Sequence, residues 1–458
     1  MAPRRVGVKR EDDPKDRLVF CRGFVYYPPQ VNPFVQLLPH QEAGVSWLMD
    51  RPRAALYDDQ GLGKTAQAIV AADGIGARRV LVVCPAVVTR NWQREFGMWS
   101  PTRTVEVVGT GRHVIGAASV VVMSHAMLLR EAIVEQLTGF DLVVLDEAHF
   151  FRRPTAARTR AFFLGGTAVC RRSRACWALS GSPTPNNDPS EMWSTLAGLA
   201  PERLRHDGRL LSYHDWRRRF CALQPTPYGD RVVGVQNRDE LRQRLAGFGL
   251  RRMKSDTLNL PPVRHGFVAL SEEDADLTRL EAEFGPVADL DALRRDSHFA
   301  EWRRLCGEAK ADPAAELIAG DLDGGTSKVV VFAHHASVID TVVEKLAAYN
   351  PVRIVGSQSS DERAESVRRF QNDASVRVCV ANIVAGGVGV TLTAASDVVF
   401  VEESFVPGDN AQACDRVCRI GQTRPVLIRH LFLAGSVDEV VTTTLARKAG
   451  LDMPIGKN

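Results

Sequence analysis

A short apolar run, Ala54 to Tyr57, leads into Asp58-Asp59-Gln60-Gly61-Leu62-Gly63-Lys64-Thr65 and then into a helix-like segment, Ala66 to Ala72. A strand, a glycine-rich turn and a helix in that order make a phosphate cradle. Gly61 and Gly63 let the backbone turn tightly and aim N–H groups at phosphate oxygens. Lys64 places a point charge at the β/γ-phosphates, and Thr65 offers a hydroxyl to Mg²⁺. Asp59, Gly61, Leu62, Gly63, Lys64 and Thr65 are therefore expected to bind nucleotide. A strict phosphate-loop pattern has Gly at position 58, where this chain has Asp. For such a match standing alone, a plain glycine-rich turn before a helix is the competing reading.

Asp141-Leu142-Val143-Val144-Leu145-Asp146-Glu147-Ala148-His149 is the second constraint. An apolar run too short for a typical helix ends in two adjacent carboxylates, as a buried parallel strand does when it delivers charge to the carboxyl edge of its sheet. Adjacent strand residues point opposite ways, so the two carboxylates are expected to work separately: Asp146 on Mg²⁺, Glu147 on the water that attacks the γ-phosphate. Near the far end, Arg416 and Arg419 lie three apart in Gln412-Ala413-Cys414-Asp415-Arg416-Val417-Cys418-Arg419-Ile420-Gly421-Gln422. On a helix that spacing puts both guanidiniums on one face, where they could clamp a transferring phosphoryl group; a solvated basic face is the competing reading.

Together these segments resemble a superfamily-two helicase-type ATPase of the Swi/Snf group, with collinear motifs from about Leu37 to about Val441. Leu38-Pro39-His40-Gln41 resembles the segment whose Gln reads adenine. Val80 to Pro85 with Asn91-Trp92, and Val120 to Ser124, resemble further motifs, the second ending at a DNA-contacting loop. Leu179-Ser180-Gly181-Ser182-Pro183 resembles the family's Thr-Gly-Thr-Pro element, with Asn186 at the place of its usual Asn. Leu250-Arg251-Arg252-Met253-Lys254 and Leu260-Pro261-Pro262 resemble the segment between the lobes, and Ala385 to Thr393 the coupling motif of the second lobe. Within the group, the chain is most similar to the annealing-helicase branch.

The resemblance implies two RecA-like lobes, use of ATP with Mg²⁺, and translocation on duplex or forked DNA contacted through its backbone. It implies nucleotide contacts at Gln41, Gly389, Arg416 and Arg419, and DNA-linked roles for Ser124, Ser180, Ser182, Gly387 and Thr391. Catalysis is expected to rest on Lys64, Asp146, Glu147, Arg416 and Arg419. The output is expected to be DNA remodelling or annealing by a DNA-stimulated ATPase. Two rivals stand beside it: an RNA-directed helicase of the same superfamily, which stimulation by RNA would favour, and a DNA scaffold that binds ATP without hydrolysing it.

Bulk properties agree. With 458 residues, 45% hydrophobic and 24% charged, the chain has room for two buried cores. No run approaches a membrane span, and the charged start, Met1 to Arg17, has no apolar signal core, so secretion is not expected. Nine scattered cysteines suit a reducing compartment; Cys414 and Cys418 sit four apart and Cys170 and Cys176 six apart, and neither has a second pair at zinc-like spacing, so they read as thiols and not as metal ligands. The net charge of +4 neither requires nor excludes nucleic acid. Only nine of the 58 cationic residues are Lys, a skew that fits a GC-rich bacterial or phage genome and a cytoplasmic setting.

Two sets of apolar runs alternate with helical patterns, at Ala54–Tyr57, Val80–Cys84, Val120–Met123, Leu142–Leu145 and Trp177–Leu179, and again at Val329–Ala333, Val352–Val355, Val376–Ala381, Val398–Val401 and Val426–Phe432. The fold class is thus α/β, with two doubly wound parallel-sheet lobes and a helical insertion between them. Expected boundaries are a tail at 1–36, the ATP-binding lobe at 37–200, a helical protrusion and linker at 201–325, the second lobe at 326–445 and a tail at 446–458. Helices are expected at Thr65–Asp73, Asn91–Met98, His125–Glu135, Ala336–Tyr349, Ser360–Asn372 and Asn410–Cys418. Trp92 and Trp99 read as core residues more than as base-stacking ones. His334-His335 reads as a strand end more than as a metal centre. Arg152-Arg153 and Arg217-Arg218-Arg219 are open between DNA contact and solvated faces.

Overall fold

The computed structural model describes residues 36–109, 111, 114–185, 188–225, 229–271, 281, 298–386, 390–449 and 451. By internal contact the chain divides into two units. The first runs to Tyr57 and resumes from Gly63 to Arg251; the second comprises Asp58–Leu62 and everything from Arg252 onward. No helix among the described residues is long and apolar enough to cross a membrane.

The first unit is built on a parallel sheet. Its strands are β1 (Arg53–Leu56), β2 (Val80–Cys84), β3 (Val105–Val108), β4 (Val120–Ser124), β5 (Leu142–Leu145), β6 (Ala175–Leu179) and β7 (Gly249–Leu250), in the spatial order β7-β1-β6-β5-β2-β4-β3 among the described residues. β2, β5 and β6 are buried at every position, so their sequences are unbroken apolar runs without polar alternation. Three helices are needed to place the site: α1 (Pro39–Met49), α2 (Lys64–Gly74) and α3 (Thr89–Trp99).

The second unit repeats the plan. β8 (Val263–Leu270), β9 (Val329–Ala333), β10 (Val352–Ile354), β11 (Val378–Asn382), β12 (Asp397–Phe400) and β13 (Val426–Leu433) form a parallel sheet in the order β8-β13-β12-β9-β11-β10. Its two faces show the period-two rule directly. Val329, Val331 and Ala333 enter one core with Ile339 and Ile318, while Val330 and Phe332 enter the other with Phe370 and Phe400. The unit also contains helices α4 (Phe299–Asp323), α5 (Ala336–Lys345), α6 (Ser360–Asn372), α7 (Pro407–Cys414) and α8 (Val437–Lys448).

Two parallel doubly wound sheets are therefore present as expected, and the strands expected in both sets of runs all form. Within the stretch 201–325, expected as a helical protrusion and linker, the boundary between the two units falls between Arg251 and Arg252, and the stretch gives a strand to each sheet, β7 and β8. β8 escapes the apolar-run pattern because Arg264, His265 and Gly266 interrupt it; it is an edge strand, parallel to β13 over all eight of its residues. The helix expected over His125–Glu135 is broken into a 3₁₀ turn, His125–Leu129, and a short helix, Glu131–Val134, because Arg130 adopts an extended conformation between them.

Candidate nucleotide site

The glycine-rich loop leaves the carboxyl end of β1 and enters α2. Gly61 and Gly63 have φ of 84° and 77°, the left-handed region that side chains disfavour. Gly63 is the N-cap of α2, so Lys64 and Thr65 are its first two residues and the helix N-terminus follows directly on the loop. A Cβ on Gly63 would fall on the side-chain amide of Gln41. Gln41 is thus brought against the loop, its carboxamide oxygen accepting from the Leu38 N–H at 2.9 Å.

The Asp that replaces the patterned Gly at position 58 has a structural role. Its carboxylate is 0% exposed and is held by both arms of the Arg252 guanidinium, Nε at 2.9 Å and Nη2 alongside. A carboxylate removed from water requires such a partner. Asp59 is also engaged: one carboxylate oxygen accepts from the Lys254 backbone N–H at 3.0 Å.

Two strands along the sheet, β5 is followed directly by Asp146, whose N–H donates to the Val83 carbonyl at 2.8 Å. The Asp146 carboxylate is held on both oxygens, by the Trp92 indole N–H at 2.8 Å and by the Glu147 N–H at 3.0 Å. Its carbonyl accepts from His125 Nε2 at 2.9 Å. Burial pushes the Asp146 carboxyl up to about 6 and the Glu147 charge adds to the push, against the Trp92 hydrogen bond and the Lys64 charge. Burial holds the His125 imidazole down, to about 4, so it is neutral near pH 7.

Glu147 does not part from Asp146 through strand pleating, as the sequence suggests. Its backbone sits in the left-handed region, φ 50° and ψ 52°, and that turn separates the two carboxylates. Glu147 Oε2 lies 3.2 Å from His149 Nδ1, which lies 3.1 Å from Ser180 Oγ just beyond β6. Ser180 Oγ also accepts from the Ser182 N–H at 3.2 Å. Since β6 lies between β1 and β5, three neighbouring strand ends carry the phosphate loop, the Ser180–Ser182 turn and the Asp146–Glu147 pair.

These residues fit a hard divalent cation. Thr65 and Asp146 are oxygen donors of the type Mg²⁺ takes, and each Asp146 oxygen keeps a lone pair beyond the one its N–H donor uses. The rise in the Asp146 pKa caused by Glu147 is a repulsion that a bound cation would relieve.

In the second unit, Arg416 and Arg419 do not share a helix face. α7 starts at Pro407, earlier than expected, and ends at Cys414. Beyond it the carbonyls that would continue the helix turn elsewhere: that of Arg416 accepts from the Leu392 N–H at 2.8 Å, and that of Val417 from Gln422 Nε2 at 3.4 Å. The Arg419 guanidinium donates to the Val390 carbonyl at 3.2 Å. The arginine turn is therefore stitched to residues 390–395, with Thr391 between the two points of attachment. Gly387, Gly389 and Asn186 lie outside the described residues.

Ser124 ends β4 and is partly exposed, as is Ser182. The Ser180 side chain is buried within the His149 network. Trp92 and Trp99 are both buried in α3. His335 Nδ1 sits 2.7 Å from Glu402 Oε1 at the end of β9. Arg152 pairs with Glu191, Arg218 with Asp215 and Arg219 with Glu240. Neither Trp92, which the sequence presents as a core residue, nor His125 signals along the chain that it bonds Asp146, Trp92 at the carboxylate and His125 at the main-chain carbonyl.

Residues 40–277 match the SNF2-related domain, and residues 310–421 match the helicase conserved C-terminal domain. The chain is 31% identical to the SWI/SNF-related matrix-associated actin-dependent regulator of chromatin subfamily A-like protein 1 of Xenopus tropicalis, over 90% of this chain and 44% of that protein. It is 30% identical to the DNA annealing helicase and endonuclease ZRANB3 of Homo sapiens, over 90% of this chain and 40% of that protein. It thus spans less than half the length of these relatives. Among solved structures it is similar to a Sulfolobus solfataricus SWI2/SNF2 ATPase core in complex with dsDNA, at 25% identity and a TM-score of 0.45, covering 92% of this chain and 93% of that chain.

Proposed function

Since the chain belongs to the SNF2-related family, we propose that it is a DNA-stimulated ATPase that turns hydrolysis into movement along duplex or forked DNA, remodelling or annealing the strands. The observation that carries this reading is the shared sheet edge, on which the phosphate loop, Ser180 and the Asp146–Glu147 pair occupy adjacent strand ends. A relative named as a DNA annealing helicase supports DNA as the partner. The Arg-rich, Lys-poor composition supports a bacterial or phage-infected cytoplasm as the setting.

In this reading Lys64 and the α2 N-terminus hold the β/γ-phosphates, and Gln41 reads the adenine. Thr65 and Asp146 would hold Mg²⁺, which supplies neutralising charge to the phosphate oxygens. Glu147 accepts a proton from the attacking water, oriented through His149. Arg416 and Arg419 stabilise the charge that develops on the transferring phosphoryl group, so turnover waits on their arrival. Ser124, Ser182, Gly387 and Thr391 approach the DNA backbone, where contacts give affinity without reading sequence. Ser180 passes the state of the nucleotide from His149 to the Ser182 turn.

The test is the steady-state ATPase rate with no nucleic acid, duplex DNA, forked DNA, single-stranded DNA and RNA, with Glu147→Gln as the control. Stimulation by duplex or forked DNA that vanishes in Glu147→Gln supports the reading. Stimulation by RNA alone, or ATP bound without turnover at saturating DNA, would overturn it.

A further inference from the structure

Arg416 and Arg419 lie beyond the end of α7, so helical geometry does not fix them. Other bonds must. On one side the Gln422 carboxamide donates to the Ala395 carbonyl at 2.7 Å. On the other stands Lys254. Its ammonium donates to the Asp415 carboxylate and, at 2.9 Å, to the Cys418 carbonyl. Those two acceptors bracket Arg416 and Val417, so one side chain staples the turn across the first arginine. An ammonium suits the task because its three rotatable donors can serve a carboxylate and a carbonyl at once.

Lys254 is anchored from behind. Its own N–H donates to the Asp59 carboxylate at 3.0 Å, the Asp59 N–H donates to the Arg252 carbonyl at 3.0 Å, and Arg252 grips Asp58. Three consecutive residues, Arg252 to Lys254, therefore hold the acidic start of the glycine-rich loop at one end and the arginine turn at the other. We infer that Lys254 is a positioning residue for the arginine pair and ties its placement to the start of the phosphate loop. This rests on the reading that Arg416 and Arg419 act on the phosphoryl group in flight. A displacement of about 1 Å in such a group can cost about a hundredfold in rate, so a loosened staple should reach turnover before it reaches binding.

The experiment compares Lys254→Met, Lys254→Arg, Asp415→Asn and Arg416→Ala in the full chain. It measures kcat and KM for ATP with saturating duplex DNA, the Kd of a fluorescent ADP analogue, and retention of ADP with aluminium fluoride, a mimic of the transition state. Lys254→Met is expected to lower kcat by about tenfold to a hundredfold, to leave ADP affinity within about twofold, and to lose the trapped complex. Lys254→Arg, which keeps the charge and several donors, should recover part of the rate. Asp415→Asn breaks the same pair from the other side and serves if Lys254→Met does not fold. Wild-type kcat and trapping in both Lys254→Met and Asp415→Asn, beside an inactive Arg416→Ala, would overturn the inference alone. So would a loss of ADP affinity as large as the loss of kcat. Wild-type turnover in Arg416→Ala would instead overturn the arginine reading, and this inference with it.

Discussion

The indole N–H of Trp92, in α3, donates to a carboxylate oxygen of Asp146 at the end of β5, at 2.8 Å. Trp92 is buried, so the ring packs in the core while its one polar atom fixes the acid proposed to face Mg²⁺. Outer partners of this kind set the orientation of a metal-binding carboxylate.

Trp92→Phe keeps most of the packing and removes the donor. It should raise the Mg²⁺ concentration needed for half-maximal ATPase and for tight ADP binding by about tenfold. Parallel titrations of Mg²⁺ against activity and against a fluorescent ADP analogue would measure it; unchanged midpoints in both would reduce Trp92 to packing.

Lys64→Ala and Arg416→Ala should fail differently. In the proposed reading Lys64 acts on the bound ground state, so its loss should raise the ATP Kd by about a hundredfold or more, whereas Arg416 acts only as charge develops and its loss should spare Kd while kcat falls by about a thousandfold. Equilibrium binding beside single-turnover hydrolysis separates the two, and matching profiles would dissolve the division of labour.

Glu147 holds a left-handed backbone that costs a non-glycine residue about 1 kcal/mol. Glu147→Gly should therefore be more stable than Glu147→Gln by about that amount, while both lose turnover. Chemical denaturation of the two variants would show it, and equal midpoints would mean that the turn relaxes.

Glu402 provides a pH signature away from the nucleotide. Burial works to raise its carboxyl, but hydrogen bonds from the His335 ring and from the His334 and His335 N–H groups prevail and hold it below the ordinary value. A lowered carboxyl pKa stabilises the fold fully above the unfolded value, about 4.3, and that contribution drains away as pH falls through the folded value. Melting temperature should thus drop on acidification below about pH 4.5, and Glu402→Gln should flatten that slope. A slope identical to wild type would remove Glu402 as its source.

Much of this was legible because chemistry had been written into short contiguous segments. The loop from Asp58 to Thr65 and the strand end at Asp146 and Glu147 carry their own signatures, and unbroken valine runs mark strands buried on both faces. What stayed hidden depends on partners far apart in the chain. Trp92 and Asp146 are separated by 54 residues. Asp58 looked like a flaw in a pattern until Arg252 was beside it. The end of α7 was unreadable because the residues that capture the Arg416 and Val417 carbonyls, Leu392 and Gln422, lie outside the helical period. β8 is hard to see along the chain because Arg264, His265 and Gly266 interrupt its apolar run.

That edge strand also decides where the second unit can be cut. A fragment begun at residue 310, where the helicase conserved C-terminal match starts, would lack Val263–Leu270 and strip β13 of one of its two neighbours. Val426–Leu433 would then be a bare, largely apolar border of unused N–H and C=O groups, an invitation to intermolecular strand pairing. Expression of this half alone should begin ahead of Val263, or be expected to yield aggregate.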